Sequence, residues 1–155
     1  MPDLHVFDPH LETATAWLNE LGETLAIAPA HHPQRTLRAL RAGLHAIRDR
    51  LPAKDVVELG NKLPTLIRGV FYEAWKFDND HTRIRDPEAL LARVAQKLAT
   101  ERGLDPAGVL RAVIQLLGSH VPSEELSDIT ATLPRSIAIW WATVPRDFAR
   151  ASFPR

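Results

Sequence analysis

The spacing of leucine and isoleucine between residues 35 and 51 predicts an amphipathic helix. In the stretch "RTLRALRAGLHAIRDRL", apolar positions recur at steps of three and four, which places them on one helical face. Pro33 opens this helix, where its missing N–H costs nothing, and Pro52 ends it, because a residue before proline avoids helical geometry. The predicted apolar face consists of Leu37, Leu40, Leu44, Ile47 and Leu51.

Proline residues also predict where further helices begin along the chain. Asp-Pro occurs at 8–9, 86–87 and 105–106, and each pair places a capping carboxylate directly before a first-turn proline. Short runs of alternating polar and β-branched residues, which are typical of strands, are missing from the sequence. We therefore predict an all-α fold. In the first of these helices, the predicted apolar face consists of Leu11, Ala14, Leu18, Leu21 and Leu25.

Residues that lie 70 positions apart match along much of the chain, which predicts an internal duplication. Leu40-Arg41-Ala42 matches Leu110-Arg111-Ala112, and Leu63-Pro64 matches Leu133-Pro134. Both Leu-Pro steps are expected to be corners between helices. The positions predicted to be buried are Leu40, Leu44, Ile47, Leu63, Ile67, Phe71, Leu110, Ile114, Leu117, Leu133 and Ile137.

The duplication predicts how the chain is organised. We expect residues 1–155 to form a single helical domain, in which two repeats of about four helices each share one core. The repeats are predicted at residues 11–75 and 86–144. The polar segment 76–85 connects them, and residues 145–155 are expected to form a loosely ordered tail.

Composition and charge narrow the functional classes. Nineteen basic and nineteen acidic side chains give a net charge of zero, which argues against a dedicated nucleic-acid binder. The absence of cysteine excludes disulfides and thiolate metal ligands. No secretory signal is visible at the start of the sequence, and no run of about 18 apolar residues predicts a membrane span. We therefore expect a cytoplasmic protein.

The stretch "RALRAGLHAIRDRLPAKDVVELGNKLPTLIRGVFYEAW" resembles a family of bacterial proteins known as domain of unknown function 2267 (DUF2267). Members also carry an arginine- and leucine-rich helix, an "RLP" break, a short acidic helix, a "QLP" corner and a helix ending in a "YYEGW"-like signature. The resemblance covers about residues 35 to 142, and Ala74 stands where the family tends to have glycine. It implies a duplicated helical domain with no assigned activity.

Motifs that would carry catalysis or bind a cofactor are not found in the sequence. No serine lies in a GxSxG motif, the seven glycines form no phosphate-binding loop, and the seven histidines show no metal-ligand spacing such as HExxH. We therefore predict no catalytic residue, no cofactor and no metal site, and an enzymatic role is kept as an alternative.

Two groups of residues are candidates for a binding surface. The first, the basic stripe, consists of Arg38, Arg41, His45 and Arg48 on one flank of the predicted 33–51 helix. It suits an anion or an acidic partner, although pairing with the acidic helices around Asp55 and Glu125 would also explain it.

The second group, the aromatic edge, consists of Tyr72, Trp75 and Phe77. Phe71 fits the core, but Trp75 lies at the border of the apolar face and Phe77 lies beyond it. Exposed aromatics suit a protein interface, because they supply much of the binding energy there. Burial of the same rings against the second repeat is the structural alternative.

These observations leave three functional hypotheses. The leading one is a non-enzymatic helical module for association with an unknown protein partner or with itself. The first alternative is an enzyme or small-ligand binder that uses a pocket between the two repeats. The second alternative is weak anion or nucleic-acid binding by the basic stripe.

Overall fold

The structure, a computed structural model, describes residues 4–27 and 32–145, so the predicted tail lies almost entirely outside the described residues. Within these two segments the chain forms helices and no strand, which confirms the all-α prediction. Short 3₁₀ helices at Leu4–Phe7 and His81–Arg83 accompany eight α-helices. These are α1 (Asp8–Thr24), α2 (Pro33–Arg50), α3 (Ala53–Gly60), α4 (Thr65–Tyr72), α5 (Pro87–Lys97), α6 (Pro106–His120), α7 (Ser123–Ala131) and α8 (Arg135–Ala142).

Proline marks the corners between the short helices, as the sequence predicts. The residue directly before α3, α4, α7 and α8 is a proline in extended geometry, with φ between −62° and −53° and ψ between 138° and 156°. Proline fixes φ and lacks an N–H, so a preceding helix stops there while the next one begins. The four residues are Pro52, Pro64, Pro122 and Pro134.

The helix bounds follow the same 70-residue spacing as the sequence matches. Helices α2 and α6 end at Arg50 and His120, and α3 and α7 begin at Ala53 and Ser123. Helices α4 and α8 begin and also end 70 residues apart. We refer to residues 11–75 as the first half and 86–144 as the second half. The duplication itself remains a prediction, to which these bounds conform.

The central element is α2, which packs against α5 and α6 from the second half and against α1 and α4 from the first. Its contact with α6 is close at Gly43, where an added Cβ would lie 2.5 Å from Cγ2 of Val113. Of the predicted core positions, all are buried except Leu133, which is partly buried against the core. One continuous core therefore joins the two halves.

The predicted apolar face of α1 is wrong at its first residue. Leu11 is 54% exposed, whereas Trp17, which the prediction left out, is 3% exposed. At about 100° per residue, Leu11 points about 120° away from Trp17 around the helix axis. The bulky pair Trp17 and Leu21 faces the core, so Leu11 turns to the outer side of α1. The indole of Trp17 stacks on the ring of His120 at 4.4 Å, which joins α1 to the end of α6.

None of the helices in the described part of the chain is long and apolar enough to cross a membrane.

Candidate functional site

Arg48, the last residue of the basic stripe, packs against the C-terminal end of α4. The Arg48 side chain is 4% exposed, and its Nη1 donates hydrogen bonds to the carbonyl oxygens of Phe71 and Glu73 at 2.8 and 2.7 Å. Its Nε donates to Asp49 at 2.9 Å. The last carbonyls of a helix lack partners within the helix and carry partial negative charge, so a guanidinium suits them. Arg48 thus caps the C-terminus of α4.

His45 lies beside Arg48 in the same contact between α2 and α4. It is 2% exposed, and its Nε2 donates to the carbonyl oxygen of Val70 at 2.7 Å. Burial lowers the pKa of His45, and the positive charges of Arg48 and Lys97 act in the same direction. The hydrogen bond to Val70 and the charge of Asp49 raise it. His45 and Arg48 are therefore parts of the interior and not of a cationic surface.

The outer half of the basic stripe is also paired. Arg41 donates to the Glu73 carboxylate at 2.7 Å, and Arg38 donates to Glu101. Neighbouring Arg35 donates to the carbonyl oxygen of Arg102 at 2.6 Å, across the two halves. These arginines thus pair with residues after α4 and α5, not with the short acidic helices that sequence reasoning favoured. On those short helices, Glu125 lies 3.5 Å from Lys62, and Glu58 lies 4.0 Å from Lys54.

The structure brings the aromatic edge together. The ring of Tyr72 lies 5.7 Å from that of Trp75, and Trp75 lies 6.0 Å from Phe77. Phe71, which is fully buried, lies 5.2 Å from Tyr72, so four rings run from the core to the surface. Phe77 at the outer end is 76% exposed. Such offset and edge-on contacts are the favoured geometry of aromatic pairs.

Local backbone geometry holds the aromatic edge in place. The Tyr72 hydroxyl donates to the carbonyl oxygen of Val56 at 3.3 Å, and burial raises the pKa of Tyr72. After α4 ends at Tyr72, Ala74 adopts φ of 56°, a left-handed conformation that turns the chain. This conformation explains why glycine suits the position in the resembling family. After this turn, Trp75 is partly buried against the core, whereas Phe77 is exposed.

Arg50 is a residue that sequence reasoning did not single out. It is 7% exposed, its Nε and Nη1 have no hydrogen-bond partner within residues 4–27 and 32–145, and burial lowers its pKa. Arg50 lies three residues after Ile47, at the border of the apolar face of α2, but a charged residue at such a border is usually expected to reach solvent. The sequence pattern therefore does not mark it as buried.

Side chains suited to metal binding are not gathered in the described residues. Where the structure describes the chain, no group of three or more histidine, aspartate or glutamate side chains is placed to hold a metal ion. The histidine at 120 instead pairs with Glu20, with Nε2 and Oε2 at 2.6 Å.

The described chain is an α-helical domain whose two halves share a core and whose surface carries an aromatic edge. Residues 14–139 match the family model described as "Uncharacterized conserved protein (DUF2267)". Because the match covers most of the chain, the protein belongs to this family. A comparison with curated proteins found no match.

Proposed function

We propose that the protein is a non-enzymatic helical module that associates with another protein surface through the aromatic edge. The observation that supports this proposal is Phe77, which is 76% exposed while its ring packs on Trp75. An exposed ring that is already ordered by its neighbours loses little side-chain entropy on binding. Aromatic residues are also over-represented among the few interface residues that carry most binding energy.

The basic stripe is a less accessible binding surface than the aromatic edge. His45 and Arg48 are buried, and Arg38 and Arg41 are paired with Glu101 and Glu73. An anion would have to displace these carboxylates or carbonyls. Association through the aromatic edge requires no such exchange, since Phe77 is 76% exposed.

A second copy of the chain is the first partner to test. We expect sedimentation velocity over a range of concentrations to show reversible self-association of the wild-type protein. Phe77→Ser should weaken it more than about tenfold, because truncating an interface hot spot costs about 2 kcal/mol or more. The matched control is Ile139→Ser on α8, which removes a similarly exposed apolar side chain, 58% exposed, from a different surface.

If the wild-type protein stays monomeric, the partner is a different protein. A photo-reactive residue at position 77, compared with one at position 139, would then identify it in the native cell. The purified partner should bind the wild-type protein and the Ile139→Ser variant, and it should lose affinity for Phe77→Ser. Equal binding of all three would show that the aromatic edge is not the interface.

A further inference from the structure

The second half contains a small cavity among α6, α7 and α8. Its volume is about 70 Å³. The walls are mainly apolar, with three hydroxyl groups, and none of the lining residues carries a titratable side chain. The lining residues are Ile114, Gly118, Ser123, Leu126, Ser127, Thr130, Trp141, Val144 and Pro145.

Two positions near the cavity differ in size from the residues 70 positions earlier in the first half. Gly118 stands 70 residues after Arg48, whose buried guanidinium caps α4. Ala142 stands 70 residues after Tyr72, whose ring lies so close to Gly60 that an added Cβ there would collide with it. The second half therefore has glycine and alanine where the first half has arginine and tyrosine.

The packing of the last helix is also less extensive in the second half than in the first. In the first half, α4 packs extensively on α2, with Arg48 and His45 in the contact. In the second half, α8 packs on α5 and α7 but makes no comparably extensive contact with α6. The cavity lies in this opening. The cavity therefore goes together with a difference in helix packing between the two halves.

From the chemistry of its walls, we infer that the cavity binds a small, uncharged, apolar molecule that carries at most one hydroxyl group. A charge that loses hydration without a partner is costly, and the lining residues offer no counter-charge, so the walls disfavour an ion. The volume of about 70 Å³ is roughly half that of an apolar cavity that takes benzene. The ligand is thus a short aliphatic chain or another group of that size.

The three hydroxyls orient the polar end of such a ligand. Thr130 Oγ1 donates to the carbonyl oxygen of Ser127 at 3.0 Å, which leaves its lone pairs able to accept. The hydroxyls of Ser123 and Ser127 make no hydrogen bond to any residue in the part of the chain that the structure describes. One ligand hydroxyl therefore has both a donor and an acceptor at this wall, while its carbon chain lies against Ile114 and Trp141.

Titration of the full-length protein followed by NMR tests the inference. The probes are ethanol, which is small enough for a cavity of this volume, and, as its charged counterpart with the same carbon skeleton, acetate. We expect the alcohol to cause saturable shifts of the methyl groups of Ile114, Leu126 and Val144 and of the Trp141 indole N–H. Xenon, which has no polar group, should shift the same signals. The carboxylate should cause no saturable shift at the same concentrations.

Gly118→Arg places the side chain of the first half in the cavity and should abolish the saturable shifts. Ser127→Leu adds apolar bulk to the cavity wall without a charge and serves as the second variant, in case the arginine prevents folding. The matched control is Gly69→Arg on α4, where an added Cβ meets nothing within 4 Å. Absence of saturable shifts in the wild-type protein, equal binding of the carboxylate, or undiminished binding in folded Ser127→Leu would each overturn the inference.

Discussion

The imidazole of His45 lies inside the contact between α2 and α4, where it donates to the carbonyl oxygen of Val70. In this geometry Nε2 carries the proton, and Nδ1 is buried without a hydrogen-bond partner among the described residues. Protonation of Nδ1 would put a charge beside Arg48 and Lys97, opposed only by Asp49. At the scale of a single residue, the contact thus depends on a neutral histidine.

This geometry predicts how stability depends on pH. Because the pKa of His45 is lowered in the folded protein, its contribution is fully present above its ordinary value of about 6.5. As pH falls below that value, the unfolded chain takes up a proton more readily, so the free energy of unfolding decreases. His45→Gln keeps a side-chain N–H for Val70 but does not titrate.

Urea denaturation between pH 5 and 8 measures this contribution as the difference between wild type and His45→Gln. The other histidines contribute equally to both proteins and cancel in the difference. We expect the wild-type protein to lose more stability than the variant below pH 6.5. Parallel losses in the two proteins would contradict the assigned role of His45.

Ala74 predicts a substitution that stabilises the protein. Its φ of 56° is unfavourable for a residue with a Cβ by roughly 1–2 kcal/mol, whereas glycine adopts it freely. After the extra entropy of glycine in the unfolded chain, we expect Ala74→Gly to gain about 0.5–1 kcal/mol in urea denaturation. The control is Ala95→Gly at an exposed position within α5, which should lose about 0.5–1 kcal/mol. Losses in both variants would refute the strain at Ala74.

At the scale of an element, helices that begin with the same Asp-Pro sequence have differently stabilised N-termini. The Asp86 side chain accepts from the N–H of Ala89 at 2.8 Å, and Asp105 accepts from Gly108 at 2.9 Å. Asp8 does not cap in this way, because α1 begins at Asp8 itself and its carboxylate contacts His5 at 2.7 Å. The cap expected at the first Asp-Pro pair, Asp8-Pro9, is therefore wrong.

Removing these carboxylates should have unequal effects. Asp86→Ala leaves the N–H of Ala89 without its partner and should cost about 1 kcal/mol of the free energy of unfolding. Asp8→Ala removes only an exposed contact with His5 and should cost a few tenths of a kcal/mol at most. Thermal unfolding followed by circular dichroism compares the two. Equal losses would mean that the cap at Asp86 contributes no more than a surface contact.

At the scale of an element, the structure also shows a close contact between helices α2 and α6. At Gly43 an added methyl group would collide with Val113, whereas at Gly69 on α4 it would meet nothing within 4 Å. Gly43→Ala should therefore cost about 1–3 kcal/mol, because overpacking forces the helices apart. Gly69→Ala should gain up to about 1 kcal/mol from better helix propensity. The two urea midpoints should move in opposite directions, and a shift of the same sign would contradict the close contact.

The two halves are joined through α2 at the scale of the whole molecule. This helix packs on α5 and α6, and Arg35 and Arg38 reach Glu101 and Arg102 across the halves. Each half has only about 60–65 residues, a size at which one core rarely supplies more than roughly 3–5 kcal/mol. The apolar face of α2 would lose its main partners if the second half were removed.

We therefore expect residues 1–78 and 79–155, each expressed alone, to be poorly folded by circular dichroism. Mixing the two fragments should restore helical signal and a cooperative melt, because the core between α2 and the second half forms again. A fragment that melts cooperatively by itself near the midpoint of the intact protein would show that the halves fold independently.

Helix positions and most of the core could be predicted from the sequence because they depend on local properties. Proline at 52, 64, 122 and 134 stops and starts helices through its own ring, and Asp86 caps a residue three positions away. Leu40 and Leu44 lie on the buried face because one helix places them there. The family resemblance rests on the same ordered features.

Only the tertiary structure determined whether each candidate residue is buried, paired or exposed. Arg48 and Arg41 belong to one predicted stripe, yet one is buried against the carbonyls of α4 and the other pairs with Glu73 near the surface. Leu11 faces outward because Trp17 fills the inner side of α1, and the cavity beside Gly118 exists because α6 and α8 stay apart. Local sequence determines where a helix begins and which residues share a face. The burial and pairing of each side chain depend on the helix that packs opposite, which is distant in the chain.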